Sequence, residues 1–254
     1  MKYLFFDIDG TLVDEHKHLP DSTKRTLEKL KEKGHFIAIA TSRPYVLTYL
    51  QAEALNIENY VCDGGDGLVI KNKIVELLPL NLEDCLAVAK ECIAHQIPIA
   101  TSIDTTNNRY SIDGRFIELN SSLKNAFDFI TKADFDIFQA KAIHKMCLHL
   151  TMQEEFLIPS LKKVPHYRIS PSCILVEAID KYRGIEKMVA LLNGKLQEII
   201  VFGDGMNDLK MFEQAPYSVA MGNAVEPLKK IASYITADIH ADGIEQACKH
   251  LGLI

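Results

Sequence analysis

A chain of 254 residues is longer than one small domain needs and about enough for two modest ones. Apolar residues make up 48% and charged residues 24%, so the chain can bury a core and wholesale disorder is excluded. Basic residues number 28 and acidic residues 34, a formal charge of −6 that gives no general attraction for nucleic acid or an anionic membrane.

Tyr3 to Phe6 is apolar at every position and ends at Asp7, as a strand covered on both faces would. Ser22 to Lys33 places Leu27 and Leu30 among Lys and Glu and stops at Gly34, which predicts an amphipathic helix with a C-terminal glycine. Phe36 to Ala40 reads as a second buried strand, then come Thr41-Ser42-Arg43-Pro44 and a helical stretch from Tyr45 to Leu55. Strand and helix alternating at this spacing predict a parallel sheet with crossovers.

Residues 82–180 differ. Helical patterns (Leu82 to His95, Leu119 to Thr131, Met152 to Lys163) mix there with short alternating stretches (Asn108 to Ile112, Lys145 to Thr151, Cys173 to Ala178). Asp113-Gly114 fits a hairpin turn, and an α+β insert with an antiparallel sheet is expected. From Lys181 the parallel rhythm resumes with a helix from Arg183 to Leu192, a strand from Glu198 to Phe202, a strand from Tyr217 to Ala220 and a helix from Ile244 to Leu251. The reading is an α/β, Rossmann-like core built from 1–81 and 181–254, with 82–180 inserted as a second, α+β domain.

The apolar runs Phe36–Ala40 and Ile199–Phe202 are too short to span a bilayer. Two aspartates by position nine do not fit the apolar region of a signal peptide. The six cysteines (Cys62, Cys85, Cys92, Cys147, Cys173, Cys248) show no CxxC pair and are expected as reduced, buried thiols. The expected location is the cytoplasm.

Chemistry concentrates at the predicted strand ends. Asp7-Ile8-Asp9-Gly10-Thr11 follows the first strand, and sites of open α/β sheets lie beyond the carboxyl ends of strands. One carboxylate there can serve as nucleophile or metal ligand and its neighbour as general acid or base. Taken alone, this run also fits a solvated acidic turn. A second cluster, Gly203-Asp204-Gly205-Met206-Asn207-Asp208, ends another apolar strand and so faces the same edge. Four aspartates in one crevice repel unless a cation sits among them, and hard carboxylate oxygens suit Mg2+. With Thr41 as a hydroxyl donor and Lys181 as a mobile cation, the set reads as a phosphoryl-transfer constellation.

These motifs resemble the haloacid dehalogenase superfamily, and within it the Cof-type, subclass IIB phosphatases with a large α+β cap between the second and third motifs. DIDGT (Asp7 to Thr11), ATSRP (Ala40 to Pro44), Lys181 and GDGMND (Gly203 to Asp208) are similar to its four motifs, and Val219 to Ala224 to its C-terminal pattern. The resemblance implies that Asp7 attacks phosphorus to form an aspartyl-phosphate and that Asp9 acts as acid, then base. It implies that Asp7, Asp204 and the backbone carbonyl of Asp9 hold Mg2+ with support from Asp208. Thr41, Lys181 and Asn207 would bind the phosphoryl group.

Three positions depart from the family pattern. Ser42 replaces a glycine and would add a hydroxyl to the phosphate-binding set. Asp63 replaces an asparagine, adding negative charge if it faces the crevice. Tyr182 replaces the glycine after Lys181, which leaves Arg183 as the fallback cation. His16 and His18 are expected to be solvated loop residues, His144 and His149 lack metal-ligand spacing, and Cys62 lacks an activating histidine. Arg109, Tyr110 and Arg115 are expected to face water. The expected function is Mg2+-dependent hydrolysis of small phosphate monoesters, sugar phosphates or phosphorylated cofactors. The partner is then a small phosphorylated metabolite, with neither nucleic acid nor membrane. Two alternatives remain open at this point: a phosphomutase on the same core, and a non-catalytic ligand-binding or regulatory module.

Overall fold

Segments apolar at every position need cover on both faces, and here they form the centre of a sheet. The structure is a computed structural model and describes residues 1–124 and 127–254. In chain order it contains β1 (Tyr3–Phe6), α1 (Asp21–Glu32), β2 (Phe36–Ala40), α2 (Tyr45–Ala54), β3 (Tyr60–Cys62), β4 (Gly67–Ile70) and β5 (Lys73–Leu77). Next come α3 (Leu82–Ala94), β6 (Ile99–Ser102), β7 (Asn108–Ser111), α4 (Arg115–Leu119), β8 (Asp128–Thr131), β9 (Lys145–His149), β10 (His166–Ser170) and β11 (Cys173–Val176). The chain then returns through α5 (Lys181–Leu191), β12 (Ile199–Gly203), α6 (Leu209–Gln214), β13 (Ser218–Ala220), α7 (Glu226–Ile231), β14 (Tyr234–Ile235) and α8 (Gly243–His250).

Two compact units result. One holds Met1–Arg43, Thr48–Glu76 and Asp180–Ile254; the other holds Pro44–Leu47 and Leu77–Ile179. In the first, eight strands are ordered β14-β13-β12-β1-β2-β3-β4-β5. The run from β14 to β3 is parallel, and β4 folds back antiparallel on β3. Strands after β1 are added on one side and strands after α5 on the other, so the order reverses between β1 and β12. That reversal opens the crevice in which α/β sheets bind ligands. Tyr3 and Phe5 pack with Ile185, Met188 and Val189 of α5 and with Met211 and Phe212 of α6. Phe6, pointing to the opposite face, stacks on Phe202 with ring centroids 4.5 Å apart.

The second unit carries a six-stranded sheet ordered β10-β11-β9-β6-β7-β8. Cys85, Val88, Ala89 and Cys92 of α3 pack with Met146, Leu148, Ile174 and Val176 of that sheet. All six cysteines are buried free thiols.

Several segments differ from the sequence expectation, each for a local reason. Asp113-Gly114 opens a helix instead of a hairpin: Asp113 accepts from the Arg115 amide at 3.0 Å, and β7 pairs with β8 in parallel. The helix expected over Leu119 to Thr131 is a 3-10 turn at Ser121–Leu123 followed by β8, with residues 125 and 126 outside the described ones. Aromatic and β-branched Phe129, Ile130 and Thr131 favour the strand there. Met152 to Lys163 forms two 3-10 stretches, Met152–Leu157 and Pro159–Lys163, because Pro159 cannot donate to a continuous helix.

Arg109 is buried rather than solvated; its guanidinium lies 4.4 Å from the Phe127 ring centroid and donates to the Asn108 carbonyl at 3.0 Å. Tyr110 is half-buried and stacks on Phe135, while Arg115 is exposed beside Asp113. The β4–β5 hairpin escapes sequence reading because its two-residue turn is Lys71-Asn72, both at positive φ (51° and 58°), without the usual glycine.

Helix α5 approaches the sheet closely at Gly184, where a Cβ would lie 2.6 Å from Val61 Cγ1 and 2.8 Å from the Gly65 carbonyl oxygen. Gly184→Ala should therefore destabilise the protein by about 1–3 kcal/mol, the usual cost of overpacking. Thermal or urea unfolding checks this; an unchanged midpoint would refute the close packing.

Candidate active site

Side chains alternate along a strand, and the β1 ladder runs one residue past its end, since the Asp7 amide donates to Phe202 O at 3.0 Å. Asp7 thus shares the face of Tyr3 and Phe5, which is the face covered by α5. Lys181 is the first residue of α5, whose N-cap Asp180 accepts from the Arg183 amide at 3.1 Å. The two side chains meet: Lys181 Nζ donates to Asp7 Oδ1 at 2.5 Å and to Asp208 Oδ1 at 2.6 Å.

Asp208 belongs to the 3-10 turn Met206–Asp208 beyond β12 and is wholly buried. Its Oδ2 accepts from the amides of Asp204 and Gly205 at 3.0 and 3.1 Å. Gly203 makes room for that carboxylate, as a Cβ there would stand 2.6 Å from Oδ2. Asp204 accepts from Thr11 Oγ1 at 3.0 Å and passes over Gly10, where a Cβ would lie 2.2 Å from its Oδ2. Gly10 also has φ +78°, a conformation that favours glycine. The Asn223 side-chain Nδ2 donates to the Gly10 carbonyl at 2.8 Å and fixes this turn.

Asp7, Asp204 and Asp208 each bring a carboxylate oxygen within 4.8 Å of the others. Asp9 stands apart from the cluster. Its side chain is held by Arg43, with Nε to Oδ2 at 2.9 Å and Nη2 to Oδ1 at 2.7 Å, and Lys17 donates to Oδ1 as well. Thr41 is buried at the end of β2, and its Oγ1 accepts from the Arg43 amide at 3.1 Å. Asn207 Nδ2 lies 3.5 Å from Ser42 Oγ, so these two also share the crevice.

The departures from the family pattern find places too. Asp63 is buried at φ +49°, and its amide donates to the Arg43 carbonyl at 2.8 Å, tying β3 to the segment after β2. Arg183 pairs with Asp66, which leaves Lys181 as the cation among the acids. His16 and His18 are exposed, and their amides donate to Asp14 Oδ1 at 2.9 and 2.8 Å. His149 Nδ1 lies 3.0 Å from the side-chain Nδ2 of Asn120 in the second unit, and Cys62 is buried.

Burial dominates the titration of the cluster. It pushes Asp7 up to about 8, assisted by Asp208 and Asp204 and opposed by Lys181. It pushes Asp204 up to about 6 with the help of Asp208, against the Thr11 hydrogen bond. Lys181 pays a burial penalty of its own, but Asp208 and Asp7 outweigh it and keep the amine charged. For Asp9 partial burial is overcome by the Arg43 and Lys17 hydrogen bonds, which hold the carboxyl below its usual value. Three carboxylates around one ammonium leave the cluster short of positive charge, and an all-oxygen donor set fits a small hard dication.

A family model described as haloacid dehalogenase-like hydrolase matches residues 4–248. The chain belongs to that family. It is 32% identical over 257 residues to the Bacillus subtilis (strain 168) protein named "Putative phosphatase YkrA", covering 100% of this chain and 98% of that protein. It is 24% identical over 262 residues to 5-amino-6-(5-phospho-D-ribitylamino)uracil phosphatase YitU of the same organism, covering 96% and 94%. Among solved structures, the HAD subclass IIB sugar phosphatase BT4131 superposes with a TM-score of 0.78 at 31% identity, covering 100% of both chains. With these relatives the chain is a phosphoric monoester hydrolase of the haloacid dehalogenase type, on an α/β fold.

Sequence reasoning missed Arg43 and Lys17 as partners of Asp9. Arg43 carried a signal, since it stands two residues after Thr41 at a strand end. Lys17 carried none, because its approach to Asp9 depends on how the following loop closes.

A carboxyl with a higher pKa folded than unfolded binds more protons when folded. Its stabilisation is full at low pH and is lost as pH rises from about 4 through the folded value, about 6 for Asp204 and about 8 for Asp7. In EDTA the protein should therefore unfold at lower temperature at pH 8 than at pH 5. Asp204→Asn should raise the midpoint clearly more at pH 8 than at pH 5, where only part of the penalty has developed; equal shifts at both would contradict the assignment.

Proposed function

We propose that this hydrolase is a Mg2+-dependent phosphatase of small phosphate monoesters, working through an aspartyl-phosphate on Asp7. The observation that carries this reading is a buried Asp7 at the reversal of strand order, gripped by Lys181 at 2.5 Å and grouped with Asp204 and Asp208. Such a carboxylate is held by its ammonium partner at the sheet edge where open α/β sheets bind ligands.

The residues divide the work as follows. An Asp7 oxygen attacks phosphorus, forming an acyl phosphate while the bond from phosphorus to the leaving oxygen breaks. Asp9, protonated in the substrate complex, gives its proton to that oxygen. As a carboxylate, Asp9 then takes a proton from a water whose oxygen attacks phosphorus, releasing Asp7 and inorganic phosphate. Thr41, Ser42 and Asn207 would hold the phosphoryl oxygens, and Lys181 fixes Asp7 throughout. Mg2+, held by the carboxylates of Asp7 and Asp204 and the Asp9 carbonyl with Asp208 behind them, would offset the charge of a dianionic substrate among acids.

For the substrate, sugar phosphates or phosphorylated cofactors are favoured. The support is similarity to a sugar phosphatase and to a ribitylaminouracil phosphate phosphatase. The inserted unit, Leu77–Ile179 with Pro44–Leu47, is proposed as the part that discriminates among leaving groups. The expected setting is the cytoplasm; among the described residues no helix is long and apolar enough to cross a membrane.

Hydrolysis of p-nitrophenyl phosphate should stop in EDTA and return with Mg2+; full turnover without metal would sink the proposal. Asp7→Asn should abolish turnover. Asp9→Asn should lose about 10²–10⁴ in rate on poor leaving groups, the usual worth of acid–base help, and much less on good ones. With a good leaving group this variant should accumulate acid-stable, hydroxylamine-labile label on Asp7, located by mass spectrometry. Label on serine, histidine or cysteine would overturn the mechanism.

A further inference from the structure

The loop after the first motif reaches back to Asp9 through Lys17. Asp14 closes that loop on itself: its amide donates to His18 O at 3.0 Å, and its carbonyl accepts from the Lys17 amide at 3.0 Å. Its side chain also accepts from the amides of His16 and His18 at 2.9 and 2.8 Å. At the tip stands Lys17 with φ +64°, a left-handed conformation that glycine or asparagine would take at lower cost. From there Lys17 Nζ turns back to Asp9 Oδ1, the oxygen already taken by Arg43 Nη2 at 2.7 Å. A carboxylate oxygen has two lone pairs in its plane. With two donors, Oδ1 is saturated, whereas Oδ2 accepts only Arg43 Nε at 2.9 Å among the contacts of the described residues and keeps one lone pair open.

We propose that Lys17 is a positioning residue that acts through Asp9: by filling Oδ1 it reserves Oδ2 as the oxygen that carries the proton to and from the leaving group. The inference rests on the acid–base role of Asp9 given above. In the first step the Oδ2–H bond breaks and the leaving oxygen gains the proton. In the second, Oδ2 takes a proton from the attacking water. Lys17 exchanges no proton in either step; it removes the competing site for protonation and prevents rotation of the carboxyl group. Arg43 alone grips both oxygens but leaves each with a vacancy, so it does not distinguish them. The added lysine does.

The test is a series of aryl phosphates, from p-nitrophenyl to p-methoxyphenyl phosphate, with Mg2+ and the whole protein. Lys17→Met should lose up to about 10²-fold in kcat on the poorest leaving group, the scale of loss for a misplaced catalytic group. It should lose little on p-nitrophenyl phosphate, with KM unchanged and the unfolding midpoint held. Lys17→Arg should restore most of the loss. In an Asp9→Asn background, Lys17→Met should cost nothing more, because there is no proton left to direct. Equal losses along the series, a rise in KM alone, or a full additional loss in the Asp9→Asn background would overturn the proposal while leaving the phosphatase reading intact. A wild-type protein inactive on every member would remove the phosphatase reading itself, and the proposal with it.

Discussion

Lys181 carries its ammonium into the buried interior, between Asp7 at 2.5 Å and Asp208 at 2.6 Å, and the arrangement of the core depends on that contact. A buried charge is tolerable only when paired, and losing one partner of a buried pair typically costs about 3–5 kcal/mol. The three side chains come from the end of β1, the start of α5 and the turn after β12, segments far apart in sequence. A charge that none of these segments can satisfy alone binds them together. Asp208 is further committed through two backbone amides, so the turn that presents Asp204 is fixed by the same triad. On the proposed mechanism the triad is both structural clamp and reaction site, so its stability and its chemistry cannot be varied separately.

Charge arithmetic follows from this geometry. With all groups ionised, Asp7, Asp204 and Asp208 against Lys181 leave a net of −2, and the low dielectric of the site makes that excess costly. The raised pKa values of Asp7 and Asp204 register the same strain. A divalent cation relieves it in the amount required, whereas a second lysine would relieve half. The glycines at 10 and 203 belong to this account as well, because each leaves the space that a carboxylate occupies.

Much of the core was legible because its signals are local. A fully apolar run such as Tyr3 to Phe6 has few structural uses, and an acidic motif directly after it lands at the sheet edge by continuity of the chain. Lys181 was legible as a cation, though its place between two acids depends on where α5 begins. The insert was harder to read. Its short segments carry weak periodicity, and Asp113-Gly114 serves a helix start as readily as a hairpin. Arg109 looked solvated because its charge suggests water, but the ring of Phe127 and nearby carbonyls accept it inside. Lys17 was invisible for a different reason: nothing in its own neighbourhood marks it, and only the closed loop aims it at Asp9.

Asp7 and Asp9 are two residues apart, yet their surroundings drive them in opposite directions. The chain leaves the strand after Asp7 and curls at Gly10, which puts Asp7 among acids in the interior and Asp9 at the rim between Arg43 and Lys17. Without ligand, the interior residue therefore holds its proton more tightly and the rim residue less tightly. The proposed reaction needs the reverse, an ionised nucleophile and a protonated acid. Both corrections are supplied by what binds. A dication beside Asp7 favours its charged form, and negative charge developing on the leaving oxygen draws a proton to the open side of Asp9. On the proposed mechanism such a site would stay idle until metal and phosphate ester are both present, so the charges that make the empty crevice unfavourable would be the ones that make the loaded crevice reactive.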